Sequence, residues 1–286
     1  MSSVRRVPPR WSQAVAVTLL WAATGLTVGV LVFIVGFVLK KGLPEVSVAF
    51  LTEGVHDMGR AGGILPMIVG TLYVTAVGVV VATPLGLGTA IYLTEYTRDG
   101  WLTSVVRFGA ECLAGVPSII FGLFGNALFC KTLGLGFSIL SGGLTLACMV
   151  LPLLIRSIEE GFRAVPDEYR TGAAALGLSR TATLRHLLLP AAVPGLVVGL
   201  VLGIGRALAE TAALIFTSGY VDRWPEALSD SGRALSIHVY DLAMNVPGGD
   251  GNAHATALVL VALLLVINGV ASWLAERWLR RKVLPL

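Results

Sequence analysis

Six apolar runs dominate this chain: Ala14 to Leu39, Gly63 to Leu93, Ser104 to Leu128, Phe137 to Ile155, Ala191 to Thr217 and Ala255 to Leu274. A helix needs about 20 mostly apolar residues to cross roughly 30 Å of hydrocarbon, and each run meets that requirement. Only 13% of the 286 residues are charged and 55% are hydrophobic, whereas a soluble domain carries about a quarter charged residues. The expected fold is therefore an all-α integral membrane protein with six transmembrane helices. Arg5, Arg6 and Arg10 precede the first run as they would a signal peptide. That run is far longer than an h-region of roughly 7 to 15 residues, which favours a retained anchor.

The connections and the basic residues set the organisation. A short tail, 1–13, leads into the anchor, 14–39. A helical core, 63–275, contains two long connections, 156–190 and 218–254, and a basic tail, 276–286, follows. With the N-terminus inside, Arg5, Arg6, Arg10, Arg98, Arg156, Arg163, Arg170, Arg180, Arg185, Arg277, Arg280, Arg281 and Lys282 lie on the cytoplasmic side. Lys40, Lys41, Arg60, Lys131, Arg223 and Arg233 lie outside. The excess of inside charge predicts a multi-pass protein with both termini in the cytoplasm.

In the inner connection, Ser157-Ile158-Glu159-Glu160 has capping-box spacing and predicts a helix start. Pro166 would end that piece, Asp167 and Glu168 would open the next, Gly177 would close it, Ser179 would cap a third and Pro190 would stop it. In the outer connection, Ala234 to Leu242 predicts a short amphipathic helix, and Pro247 to Asn252 a flexible tether. Pro84 is expected to break the second run, and Pro117 to kink the third.

Charges inside the runs are the sharpest functional signal, since each costs about 2.5 to 3.5 kcal/mol at mid-membrane. Arg206 and Glu210 are four apart, so one helix face could pair them. Gly195, Gly199, Gly203, Ala207 and Thr211 share that side, where another helix can approach closely. Arg107 and Glu111 repeat the spacing in the third run, followed by Gly115, Ser118, Gly122 and Gly125. Two readings stand together at this point: glue between helices, or a polar pathway that tolerates an anion and binds it weakly enough to release it.

Other chemistries lack residues. There is no GxxxxGK[ST] loop, GxSxG elbow or HExxH pair. His56, His186, His238 and His254 are scattered, and Cys112, Cys130 and Cys148 read as buried, inert thiols with no metal spacing. No basic run with interleaved aromatics suggests nucleic acid. A helical inner loop in a chain with no motor of its own suggests that another protein docks there.

That loop, Thr171-Gly172-Ala173-Ala174-Ala175-Leu176-Gly177 followed nine residues later by Leu187-Leu188-Leu189-Pro190, resembles the EAA loop of type I ABC importer permeases. Thr171 stands where that pattern has Glu, and Gly172 where it has Ala. Gly205-Arg206-Ala207-Leu208-Ala209-Glu210-Thr211-Ala212 resembles the GRAxGETA signature of phosphate importer permeases, with Ala209 replacing its Gly. Leu113 to Gly125 is similar to their LAGVPSIxFGLFG segment. Gly62 to Leu72 and Ala90 to Tyr96 also match, and the run after Thr211 and Ile237 to Ala243 resemble the A type (PstA).

The resemblance implies a permease of the bacterial inner membrane and not an enzyme. Its partners would be a homologous C-type permease, two cytoplasmic ATPase subunits and an extracytoplasmic phosphate-binding protein. It implies no cofactor on this chain, since ATP and magnesium would belong to the ATPase. Arg206, Glu210, Thr211, Arg107 and Glu111 would line the pathway. Thr171, Gly172, Ala173, Gly177, Leu187, Leu189 and Pro190 would couple to the ATPase. The alternatives are a permease for phosphonate, sulfate or molybdate, and a membrane scaffold or phosphate-sensing subunit.

Overall fold

The computed structural model describes residues 10–97 and 100–282. Of the expected inner charges, Arg5, Arg6 and Arg98 lie outside the described residues. The chain runs through helices α1 Arg10–Gly42, α2 Val48–Thr52, a hairpin of β1 Val55–His56 and β2 Ala61–Gly62, then α3 Leu65–Ile91, α4 Trp101–Ala114, α5 Ser118–Gly125 and α6 Ile139–Arg163. It continues through α7 Glu168–Ala175, α8 Arg180–Thr183, α9 Leu189–Leu208, α10 Ala212–Ile215, α11 Leu235–Met244 and α12 Asp250–Lys282. Among the described residues, five helices are long and apolar enough to span a bilayer. The α4 helix with the segment 118–132 passes the same test as a pair bent by 103°, which gives a sixth span where the pair is counted as one.

The core is the α3–α6–α9 stack, and small residues make it possible. A Cβ on Gly195 of α9 would lie 2.5 Å from the Cα of Gly161 on α6, and one on Gly203 would lie 2.7 Å from Val150. The glycine stripe expected to admit a neighbouring helix therefore packs on α6 of the same chain, where close backbone approach replaces bulky interdigitation. Leu146, Met149, Leu154, Ile158 and Phe162 of α6 are buried beside it. By contrast, the most apolar stretch of α1 buries nothing within the chain, as suits a helix solvated by lipid.

Several boundaries differ from the sequence reading. Pro84 does not break α3, and Pro152 and Pro194 are likewise carried inside helices, which neighbouring helices permit in a membrane bundle. Gly115-Val116-Pro117 does more than kink the third span. Proline biases the residue before it away from helix, and the chain turns sharply, so that Gly122 packs on Ala213 and Gly125 on Thr145. The proposed capping box is not a helix start: α6 runs unbroken through Ser157 to Arg163, and its N-cap is Ser138, whose Oγ accepts from Ser141 N at 3.1 Å. Pro190 does not stop a helix either. A π-helical turn, Leu184–Leu188, joins α8 to α9 and places the proline in the first turn of α9, where its missing N–H costs little. The tether ends early, because Asp250, Gly251 and Asn252 already belong to α12, with Asn252 donating to Gly59 O at 2.7 Å.

Other features match. Glu168 opens α7, Gly177 closes it with φ +70°, and Ser179 Oγ accepts from Ala182 N at 3.3 Å to cap α8. The outer helix α11 covers the expected segment. Of the thiols, Cys130 is buried and Cys148 partly so, but Cys112 is exposed, contrary to the expectation for all three.

Candidate functional site

Charged groups of three helices converge on one open-sided cavity of about 280 Å³ lined by α4, α6 and α9, where Glu159 is the buried charge. Arg107 and Glu111 come from α4, Arg156, Glu159, Glu160 and Arg163 from α6, and Arg206 from α9. Gly203, one turn before Arg206, packs on Val150, so the cavity follows α6 from near that level to Arg163. That is roughly 20 Å of helix at about 1.5 Å per residue.

The pairing inside it differs from the expected spacing. Arg107 does not pair along its own helix with Glu111; its Nε donates to Glu159 Oε1 at 2.7 Å. Arg163 Nη2 donates to the same oxygen at 2.7 Å, so one carboxylate, 8% exposed as a residue, holds two guanidinium groups. The reason is geometric: α4 lies against α6 here, and a carboxylate opposite Arg107 competes with one a turn away. Arg156 and Glu160 form a looser, exposed pair at 3.2 Å.

Arg206 and Glu210 do not pair either. The helix ends at Leu208, which removes the shared face that a four-residue spacing needs. Glu210 turns to the next element, its Oε1 accepting from Ala213 N at 3.2 Å at the start of α10. Its backbone carbonyl accepts from Ser236 Oγ at 2.6 Å. Thr211 lies half-buried at the same break. Among the described residues no carboxylate stands within ion-pair distance of Arg206. Thus Arg107, Glu111 and Arg206 share the cavity, while Glu210 and Thr211 shape the chain reversal beyond it.

The second cluster is the α7–α8 region. Thr171 and Gly172 point outward, and Gly172 has open space around it. Ala173 is buried, whereas Leu187, Leu189 and Pro190 are half-buried and Leu188 is the fully packed member of that run. Leu176 is 81% exposed just before the Gly177 turn. Among the described residues no group of His, Cys, Asp and Glu could hold a metal.

Sequence reasoning missed Glu159, Arg163 and the Glu95–Arg170 pair. The spacing of Glu159 to Arg163 was available as an i,i+4 signal. Nothing local marks Glu95 as the partner of Arg170, 75 positions away.

A helical bundle with five or six candidate spans, a sharply bent α4–α5 pair, a packed α7–α8 loop and an open-sided cavity bearing arginines is the architecture to compare with known proteins. The family described as binding-protein-dependent transport system inner membrane component matches residues 82–283. The chain belongs to that family. It is the permease component of an ABC importer, and so a transport subunit, not a catalyst. It is 36% identical over 236 residues to the phosphate transport system permease protein PstA 1 of Mycobacterium tuberculosis, covering 82% of this chain and 76% of the relative. The phosphate transport system permease protein PstA of Yersinia pestis is 34% identical, with 83% and 80% covered. The probable ABC transporter permease protein YqgI of Bacillus subtilis is 29% identical, with 86% and 88% covered. Among solved structures, a bacterial ABC transporter involved in alginate import superposes with TM-score 0.63 at 15% identity, over 93% of this permease and 98% of that chain. The MetNI methionine transporter gives 0.58 at 18%, over 75% and 93%. These last two establish the fold alone.

Proposed function

We propose that this permease imports phosphate across a bacterial inner membrane, using the α4–α6–α9 cavity as its pathway. The observation that carries the proposal is the meeting of Arg107 and Arg206, from opposite parts of the sequence, on one cavity that also holds carboxylates. Guanidinium groups present planar N–H pairs matched to phosphate oxygens, and neighbouring carboxylates keep the anion from being trapped. The PstA names of the relatives support phosphate over other oxyanions.

The complex would contain a homologous permease, two ATPase subunits holding ATP and magnesium, and an extracytoplasmic binding protein. Both termini would face the cytoplasm. Thr171, Gly172, Gly177 and the exposed Leu176 would present the surface that meets the ATPase, with Ala173, Leu187, Leu189 and Pro190 supporting it from within.

Labelled phosphate uptake in cells lacking their own high-affinity system, supplied with this gene and its partner genes, tests the reading. Energised uptake that requires this chain and resists excess phosphonate and sulfate is the expected result. Assembly without phosphate uptake, or uptake abolished by either competitor, would overturn it.

A further inference from the structure

Arg170, in the first turn of α7, uses all five of its N–H groups. Nε and Nη2 donate to Glu95 Oε2 and Oε1 at 3.3 and 2.7 Å. Nη1 donates to Val165 O at 3.0 Å and Asp167 Oδ1 at 3.1 Å, and Nη2 also donates to Phe162 O at 3.1 Å. A guanidinium has five donors in a fixed plane, so its capacity is full. The fork onto Glu95 is the strong bidentate form, and those bonds raise the Arg170 pKa further above its ordinary value.

The partners belong to different elements. Glu95 lies in the π-helical turn Tyr92–Tyr96 that ends the second span, a distortion found disproportionately at functional positions. Phe162 lies in the last turn of α6 and Val165 two residues past its end, so the Arg170 bonds to their carbonyls add to the backbone bonds that already close that terminus. The two helices joined this way, α3 and α6, form the largest packed interface of the fold. On α7 itself, Ala173 is the one buried residue. A single buried methyl gives little hold, so the Arg170 side chain is the main attachment of α7 to the spanning bundle.

We propose that Arg170 is the transmission joint of this permease, the positioning residue through which displacement of α7 moves the ends of α3 and α6 as one body. The inference rests on the importer reading, in which a partner ATPase pushes on α7. Lysine would keep the charge but offer three donors on one nitrogen and no planar fork, so it could not hold Glu95 and both carbonyls together.

The test uses the full complex in liposomes, with R170K and E95Q. It measures ATP hydrolysis stimulated by loaded binding protein, phosphate uptake per ATP, and the separation of spin labels at positions 96 and 168 with and without nucleotide. Both variants are expected to retain the ATPase subunits and hydrolyse ATP while uptake per ATP falls about tenfold. The labels, fixed relative to each other in the native complex, should shift on nucleotide binding in R170K. Native uptake per ATP in both variants overturns the proposal. So does a parallel fall in ATPase docking and uptake with their ratio unchanged, which marks a residue that only folds the loop. If the native complex fails to import phosphate, the importer reading fails separately, and label separation still decides the joint.

Discussion

Arg170 and Arg206 carry the same planar cation into two opposite settings. All five N–H groups of Arg170 meet fixed acceptors on three segments. Arg206 stands exposed on the wall of the open-sided α4–α6–α9 cavity, with no carboxylate in ion-pair range among the described residues. A guanidinium whose donors are filled by its own chain acts as a rivet, because moving it means breaking several charge-assisted bonds at once. One whose donors face a cavity is available to water or to a passing anion. Arg107 sits between these extremes: it lines the same cavity yet is held by Glu159.

The largest effect should come from the open member of the comparison. Arg206→Gln is expected to lower initial phosphate uptake about a hundredfold, the scale of losing a charged contact to a desolvated anion, with normal assembly into the complex. Near-native uptake in that variant would break the contrast with Arg170, since neither arginine would then serve the solute.

Glu159→Gln converts Arg107 from the held kind toward the open kind. Loss of one carboxylate shared by two guanidinium groups should cost about 2 kcal/mol of stability, seen as a lower melting temperature in detergent. Added phosphate should then raise the melting temperature of the variant more than that of the native chain. Equal shifts in both would mean that Arg107 stays closed to anions whatever holds it.

The smallest effect concerns a third kind of neighbour, a buried base beside a paired arginine. Arg233 Nη1 bonds Asp241 at 3.0 Å and reaches His238 Nδ1 at 3.3 Å, which makes Nδ1 the acceptor and leaves the protonated Nε2 buried without a partner. Burial first, then the Arg233 charge, lowers the His238 pKa from 6.5 to about 4, against the opposing pull of Asp241 and Asp222. Because the folded value is depressed, the neutral ring's contribution is complete above the unfolded value. It is lost as pH falls toward the folded one, the unfolded chain taking up the proton first. Hydrogen exchange in α11 should therefore accelerate between about pH 6.5 and about pH 4, and His238→Gln should flatten that dependence. An unchanged slope would assign the acid sensitivity to other groups.

Much of the architecture was legible because it depends on local quantities. Apolar length marked the spans, and Ser179 and Gly177 marked the ends of short helices through capping geometry that involves only neighbours in sequence. The glycines at 195, 199 and 203 announced a close helix contact, since nothing else explains small residues at that interval in a spanning helix. Three of the errors share one cause. Four-residue spacing suggested Arg206–Glu210 and Arg107–Glu111 pairs, and capping-box spacing placed a helix start at Ser157, on the assumption that each side chain answers to its own segment.

The sequence by itself determined which segments are long and apolar enough to span a membrane, which face of the fifth run admits a close neighbour, and the family to which its loop and arginine motifs point. Only the tertiary structure decided where each charge finds its partner: Arg107 on Glu159, Arg170 on Glu95, Glu210 on the start of α10. Span length and capping are set by residues a few positions apart. An ion pair inside a bundle is set by which helices meet and where a helix ends, and the packing of the whole chain fixes both.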